Sequence, residues 1–324
     1  MCGPGLISED VKARIAAWGA VRHTVSESPF GPDDQIGMLN LITPQLSASM
    51  LSRADATKVF DLSVDLFPGM PTWTAGGEPP YQIWMNHTPQ GSVVDDPVEV
   101  GPEQNELVAW SADSISMFTH CGTHVDTLNH FGYHDKIWNG FTAGSHLGST
   151  GWTVAGADKH PPVIARGVLL DVATTLDTEV LPDSFVIGPD QLEMTASRQE
   201  VDIQPGDVVM VRTGRGSTWP DGSAYLPREP GIDRAGAEWL AKKGVAMVGA
   251  DNIALESMPS GDPENWLPVH TYLLAEAGVP IMEVVDLEGI AEQELYEFCY
   301  VGAALKLRGA TAGPIRPLAF PIVA

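Results

Sequence analysis

The chain has 324 residues, 44% of them hydrophobic, which is material for one large core or two ordinary ones. Asp and Glu number 42 against 18 Lys and Arg, a formal charge of −24 with no basic run of five or more residues, which argues against a nucleic-acid groove or a polybasic membrane patch. Cys2, Cys121 and Cys299 are too few for a disulfide framework. No apolar run reaches the length of a membrane span, and the amino terminus has no cationic start with an apolar segment behind it; the expectation is a cytoplasmic protein.

Taken in chain order, residues 1–58 are expected to form a helical N-terminal extension packed on the main domain or on a neighbouring subunit. Ser8-Glu-Asp can open a helix that runs through Ala17 and Trp18. Thr43 followed by Pro44 marks the start of another, since Pro suits the first helical turn. Ser28-Pro-Phe-Gly-Pro-Asp-Asp between them is loop. Residues 59–324 then form one domain. Short β runs dominate it: Val59–Leu66, Val163–Asp171, Asp207–Thr213, Val245–Gly249, Pro280–Val285 and Tyr300–Leu307, punctuated by Gly, Pro and Asp. Helices are expected from Pro189, over Asp233–Gly244 with Asp233 as N-cap and Gly244 as stop, and over Val269–Ala277 closing at Gly278. The mixture specifies an α/β or α+β domain, with no internal repeat. Residues 72–103, polar and rich in Gly and Pro, read as a lid, a subunit contact or a plain surface excursion.

The chemistry concentrates in His120-Cys-Gly-Thr-His124-Val-Asp126-Thr-Leu-Asn-His130. Three of the chain's nine histidines and a carboxylate fall within eleven residues. Imidazole and carboxylate are the ligands that suit zinc, manganese or iron. Gly and Thr between the first two histidines disfavour a regular helix. Even offsets point to one face in an extended strand, so a strand running into a loop can aim all four side chains at one ion. A catalytic metal site usually has three protein ligands and one open position. His120, His124 and Asp126 supply three, and His130 is spare. A divalent ion there lowers the pKa of water towards about 7 and polarises a carbonyl.

The segment resembles the H-x-G-T-H-x-D-x-x-x-H signature of the cyclase family that includes bacterial kynurenine formamidases and isatin hydrolases. Further resemblances lie in order along the chain: Phe60-Asp-Leu-Ser to Pro-Thr-Trp73, Gly206-Asp to Arg-Thr-Gly214, Val269-His270-Thr-Tyr-Leu-Leu, Gly278 to Glu283, and Leu305 to Arg316. Together they span about residues 59–320. The family usually carries Asn after the late glutamate, whereas Val284 follows Glu283 here.

The resemblance implies an α/β architecture, the swivelling β/β/α fold, with a central mixed sheet or barrel-like core and flanking helices. It implies a metal-dependent hydrolase of a non-peptide C–N bond, with an arylformamide or small cyclic amide as substrate. Lactone hydrolysis or ring closure on the same metal site is the alternative, and a metal-binding assembly protein is the non-enzymatic one. The implied cofactor is Zn2+ or Mn2+, one or two per chain. His270 and Glu283 match residues that hold a second metal with the aspartate bridging, or else line the pocket. His130 matches a proton-transfer residue; a fourth ligand or an orienting residue is the other reading. Trp73 matches a substrate-side tryptophan, against plain core packing. Cys121 falls at a position the family leaves variable and reads as a small buried thiol. His134 and His146 read as loop residues. No Walker lysine, G-x-G-x-x-G or G-x-S-x-G occurs, so nucleotide binding and serine hydrolysis are not indicated. The expected partners are a small-molecule substrate and further copies of the chain, as a homodimer or homotetramer, with no nucleic acid and no membrane.

Overall fold

The structure is a computed structural model that describes residues 23–323 and Ala13; the helix expected to open at Ser8 otherwise lies outside the described residues. Its centre is a nine-stranded mixed sheet. In chain order the strands are β1 (Phe60–Asp61), β2 (His124–Asp126), β3 (Val163–Asp171), β4 (Val208–Arg212), β5 (Met247–Ala250), β6 (Ile281–Glu283), β7 (Glu297–Gly302), β8 (Ala312–Pro314) and β9 (Leu318–Pro321). Their order across the sheet is β1-β9-β7-β3-β4-β5-β6-β2-β8. Strands β3 to β6 are mutually parallel, and β2, β7, β8 and β9 pair antiparallel to their neighbours.

The parallel strands are short apolar runs because both of their faces are covered. Side chains alternate between two cores, as a period of two demands. Val168, Leu170, Val209, Val211 and Val248 face the helical layer. Leu169, Val208, Met210 and Met247 face the opposite side, with Phe298, Tyr300 and Leu62. Three helices frame the sheet: α1 (Pro44–Arg53), α2 (Pro189–Arg198) and α3 (Arg234–Lys242). The expected caps are present. Thr43 Oγ1 accepts from the Leu46 N–H at 3.2 Å, and the Asp233 carboxylate accepts from the Gly236 N–H at 2.7 Å. Leu240 and Ala241 of α3 are buried in the helical-side core.

Several expected elements are shorter or displaced, each for a local reason. The run at 59–66 pairs only over Phe60–Asp61. Asp61 Oδ1 accepts from both the Ser63 N–H and its hydroxyl, a local turn that competes with the ladder. The strand expected over 300–307 runs instead from Glu297 to Gly302. The strand expected to reach Val285 stops at Glu283, because Val284 takes a left-handed φ of 55°. The helix expected over Val269–Ala277 begins as one α-turn, Pro268–His270, and widens to a π-helix over Thr271–Ala277. The Thr271 hydroxyl contacts the carbonyls of Leu267 and Pro268 at 3.1 and 3.2 Å, a back-bonding that bends helices at such points. Gly278, at φ 64°, closes the element; a Cβ there would sit 2.5 Å from the Trp138 ring.

The described part of the N-terminal extension packs on the main domain. The Met38 N–H donates to the Gly278 carbonyl at 2.7 Å, and the Ser47 hydroxyl donates to the Ile164 carbonyl on β3 at 2.8 Å. Asp34 gathers the Ser28 hydroxyl, the Gly37 N–H and the Trp138 indole N–H on one oxygen. The stretch 72–103 is more ordered than a plain loop. Gln82–His87 pairs antiparallel with Ala112–Ser116, and two short helices, Pro89–Asp95 and Pro102–Leu107, lie between them. This arm leaves Ile83, Trp84, Met85, Ile115 and Leu107 exposed. Among the described residues no helix is long and apolar enough to cross a membrane.

Candidate metal centre

The site is built where β2 lies between β6 and β8. Glu283 on β6 and Pro314 on β8 both stand opposite His124 in the ladders. Adjacent strands therefore bring His124, Asp126 and Glu283 together. Only His124–Asp126 is strand; His120 and His130 arrive through turns on either side. The strand running into a loop expected for 120–130 is thus a three-residue strand with a turn before it as well as after it, which wraps the side chains around Asp126. His270 comes from the helix after β5, at the end of its α-helical first turn.

Asp126 is the hub. Its Oδ1 lies 2.6 Å from His120 Nδ1 and 3.3 Å from His124 Nε2. Its Oδ2 lies 3.6 Å from His270 Nε2 and 3.8 Å from His130 Nε2. Glu283 closes the far side, with Oε2 3.3 Å from His124 Nε2 and Oε1 3.1 Å from His270 Nε2. His120, Asp126 and His130 offer atoms within 4.8 Å of one another, and so do His124, Asp126 and Glu283. All six motif-derived polar residues therefore meet in one place. The grouping is broader than a triad of His120, His124 and Asp126, since His130 sits with His120, and Glu283 sits with His124.

The outer nitrogens of the imidazoles are held by groups outside this ring of contacts. His124 Nδ1 lies 2.8 Å from the Gly122 carbonyl, which a φ of 60° at Gly122 turns inward. A Cβ at Gly122 would meet Leu66 at 2.2 Å. His120 Nε2 lies 2.8 Å from the Thr311 hydroxyl, and His270 Nδ1 lies 2.7 Å from Glu256 Oε1. Holding one ring nitrogen sets which nitrogen faces the centre. Thr311 and Glu256 did not stand out as site residues in the sequence. Thr311 falls within the Leu305–Arg316 segment that resembles the family's closing strand but was not singled out there, Glu256 falls in no such segment, and each reaches its histidine only through tertiary packing.

Electrostatics at the centre follow from burial and mutual proximity. Burial pushes the Asp126 carboxyl up, but the imidazoles of His130, His120 and His124 close around it outweigh that and hold the group well below the usual carboxylate range. Burial works against protonation of His124, yet the Asp126 and Glu283 carboxylates beside it raise it to about 10. His270 is likewise raised by Asp126, Glu256 and Glu283 against its burial. His130 goes the other way. Burial lowers it well below the ordinary imidazole value, and the neighbouring His120, His270 and His124 add to that against Asp126.

The residues present fit a divalent metal. His124 Nε2, both Asp126 carboxylate oxygens and Glu283 Oε1 are buried without a hydrogen-bond partner. Orphaned acceptors and imidazole nitrogens cost several kcal/mol in total when buried, of order 1–3 kcal/mol each, unless something compensates them. A cation coordinated between them does so. Cys121 takes no part. Its thiol is buried against Met70 and Tyr81, and burial pushes it up to about 11.

Aromatic rings line the approach. Phe131 lies 4.6 Å from the His130 ring and 5.2 Å from His270, centroid to centroid. Trp266 lies 5.9 Å from Phe131, and Trp73 stacks on Trp266 at 6.5 Å. Trp73 also packs beside Val284, Ile253 and Tyr225. It thus stands two rings from the polar centre. His134 and His146 belong elsewhere, in the Tyr133–Lys136 turn and at the end of a short helix, Ala143–His146.

A family profile described as "Putative cyclase" matches residues 60–257. The chain belongs to this cyclase family. A crystal structure of a novel cyclase superposes with a TM-score of 0.79 at 28% identity, covering 92% of this chain and 99% of the other. Isatin hydrolase A from Ralstonia solanacearum superposes with a TM-score of 0.63 at 22% identity, covering 85% and 95%. Isatin hydrolase A from Labrenzia aggregata does so at 0.62 and 19%, covering 82% and 94%. No curated protein sequence matches. The expected α/β fold, a mixed sheet with flanking helices, is the fold shared with these structures.

Proposed function

We propose that this protein is a metal-dependent hydrolase that cleaves a non-peptide C–N bond in an arylformamide or small cyclic amide. The observation that carries the proposal is the set of partnerless buried atoms, His124 Nε2, Asp126 Oδ1 and Oδ2, and Glu283 Oε1, gathered with His120 and His270 at one point. The similarity to two isatin hydrolases, whose substrate is a cyclic amide, supports the substrate class. One or two divalent ions, Zn2+ or Mn2+, would be held by His120, His124, Asp126, His270 and Glu283. When bound, such an ion supplies Lewis acidity towards a carbonyl oxygen and towards water.

The chain's own residues do the rest. His130 retains 22% side-chain exposure, whereas Asp126 and His124 have none. It is kept neutral by burial and by its imidazole neighbours, so its free nitrogen can accept a proton from water and later return it to the leaving nitrogen. Phe131, Trp266 and Trp73 offer flat apolar faces for a planar substrate and limit water at the approach. Metal content together with hydrolysis of an arylformamide, a cyclic amide and a lactone tests the reading. Faster turnover of the lactone would move the assignment to the C–O bond, and metal without turnover of any of the three would favour a binding protein.

A second part of the proposal is that the protein acts in the cytoplasm as a homo-oligomer, and the arm at 82–116 supports the oligomer. A two-stranded ribbon is marginal alone in water, and this one leaves Ile83, Trp84, Met85 and Ile115 roughly half exposed. A neighbouring subunit would cover them.

A further inference from the structure

We infer that Glu256 is a positioning residue for the metal centre, acting through His270. The inference rests on the proposed metal-binding reading of Asp126, His270 and Glu283. Glu256 is 1% exposed and lies outside any strand or helix. Its carboxylate faces three nitrogens. Oε1 lies 2.7 Å from His270 Nδ1 and accepts from the His270 backbone N–H at 3.1 Å, while Oε2 accepts from the Val269 N–H at 3.3 Å. One side chain thus caps the start of the His270 helix and also grips the ring that the helix carries.

The grip has a direction. With Nδ1 turned to Glu256, His270 Nε2 points at Glu283 Oε1, 3.1 Å away, and at Asp126 Oδ2, 3.6 Å away. A carboxylate accepting at Nδ1 selects the tautomer whose Nε2 carries a lone pair, the form needed for ligation, and raises its basicity. A plain helix cap would need only the backbone donors. The position of Glu256 is itself fixed by the backbone. Leu255 before it holds φ 57°, an uncommon conformation for a bulky residue, and the Ser257 N–H after it donates to the Ile232 carbonyl at 3.1 Å. Glu283, which Nε2 of His270 faces, is followed by a similar constraint at Val284. Two carboxylates on opposite sides of His270 are therefore each anchored by a left-handed hydrophobic residue next to them.

The test is a calorimetric titration of the metal-stripped full-length protein with Zn2+, and in parallel with Mn2+. Glu256→Gln keeps one acceptor oxygen for the helix N–H groups but loses the charge that holds Nδ1–H. It is expected to weaken metal binding by about 10- to 100-fold, a part of the larger but still measurable loss expected of His270→Ala. Added to His270→Ala, it is expected to change metal affinity no further, since its effect runs through that ring. Wild-type affinity in Glu256→Gln, with only a lower thermal midpoint, would reduce Glu256 to a helix cap and overturn the inference. Equal losses on both backgrounds would also overturn it. If the variant does not fold, nitrogen-15 NMR of Zn2+-loaded wild type decides. A proton on His270 Nδ1 is expected, and its absence overturns the inference. Failure of the wild type to bind either ion defeats the metal-binding reading itself and this inference with it.

Discussion

His124 and Glu283 stand directly opposite each other on antiparallel strands, and His124 Nε2 lies 3.3 Å from Glu283 Oε2. Both groups are buried, and in each of them an atom lacks a hydrogen-bond partner. Removing the imidazole takes away one donor of the proposed site and leaves the carboxylates of Asp126 and Glu283 facing each other without it. His124→Ala is expected to lose most bound metal by elemental analysis. Saturating metal in that variant would show that the site is elsewhere.

His130 separates ligand from proton carrier. Its Nε2 is 3.8 Å from Asp126 Oδ2, the longest of the four histidine contacts to that carboxylate. His130→Ala is expected to keep most of its metal and to lose at least about a hundredfold in turnover, the low end for general acid–base catalysis. Joint loss of metal and activity would make His130 a ligand instead, a role its proximity to His120 and Asp126 allows.

Activity is expected to fall as pH drops below about 6. Ligating imidazoles must be neutral to coordinate, so acid releases metal, and His130 must be neutral to accept a proton. Ionisation of water at a divalent ion near about pH 7 acts in the same direction. The rising limb, between about pH 6 and 8, belongs to these groups together. Exchanging Zn2+ for Mn2+ should move it upward. A rate that is flat from about pH 5 to 9 would contradict the mechanism.

Away from the site, burial lowers His160 to about 4. The unfolded chain's imidazole titrates near about 6.5. The folded protein thus binds fewer protons between those values. Its stability relative to a non-titrating variant is complete above about pH 6.5 and declines as pH falls towards 4. In denaturant titrations of metal-stripped protein, the stability of wild type minus that of His160→Leu should drop by roughly 2 kcal/mol between pH 7 and 4.5. A difference that stays constant would mean that His160 is not the titrating group.

Light scattering at micromolar concentration should give at least twice the 34.6 kDa of one chain. Replacing both Trp84 and Ile115 by Ser should shift the mass towards the monomer, because both lie exposed on the ribbon. A wild-type mass near one chain would remove the oligomer from the proposal.

The sequence by itself determined where the candidate ligand side chains cluster and the outline of the fold. Ligand types at 120, 124, 126 and 130 are visible because they are local. The strand Val163–Asp171 and the helix capped by Asp233 are legible for the same reason, since apolar period and capping chemistry act over a few residues. The left-handed conformation after Glu283 was not legible; the sequence showed only that Val284 stands where the family usually carries Asn. The family's usual Asn tolerates a left-handed backbone, whereas Val284 adopts it at a cost of about 1 kcal/mol or more. The Thr123 hydroxyl on the Val284 carbonyl and the Val284 N–H on the Asn252 carbonyl hold it there. Only the tertiary structure decided how the motif is used. It placed turns on both sides of a short strand, which gathers the side chains around Asp126, and set Glu283 against His124 by strand register. It also brought Thr311 and Glu256 to the histidines from distant segments, where neither had been singled out. These choices depend on which strands pair and where turns reverse the chain, and such long-range packing leaves no periodicity for a local reading to detect.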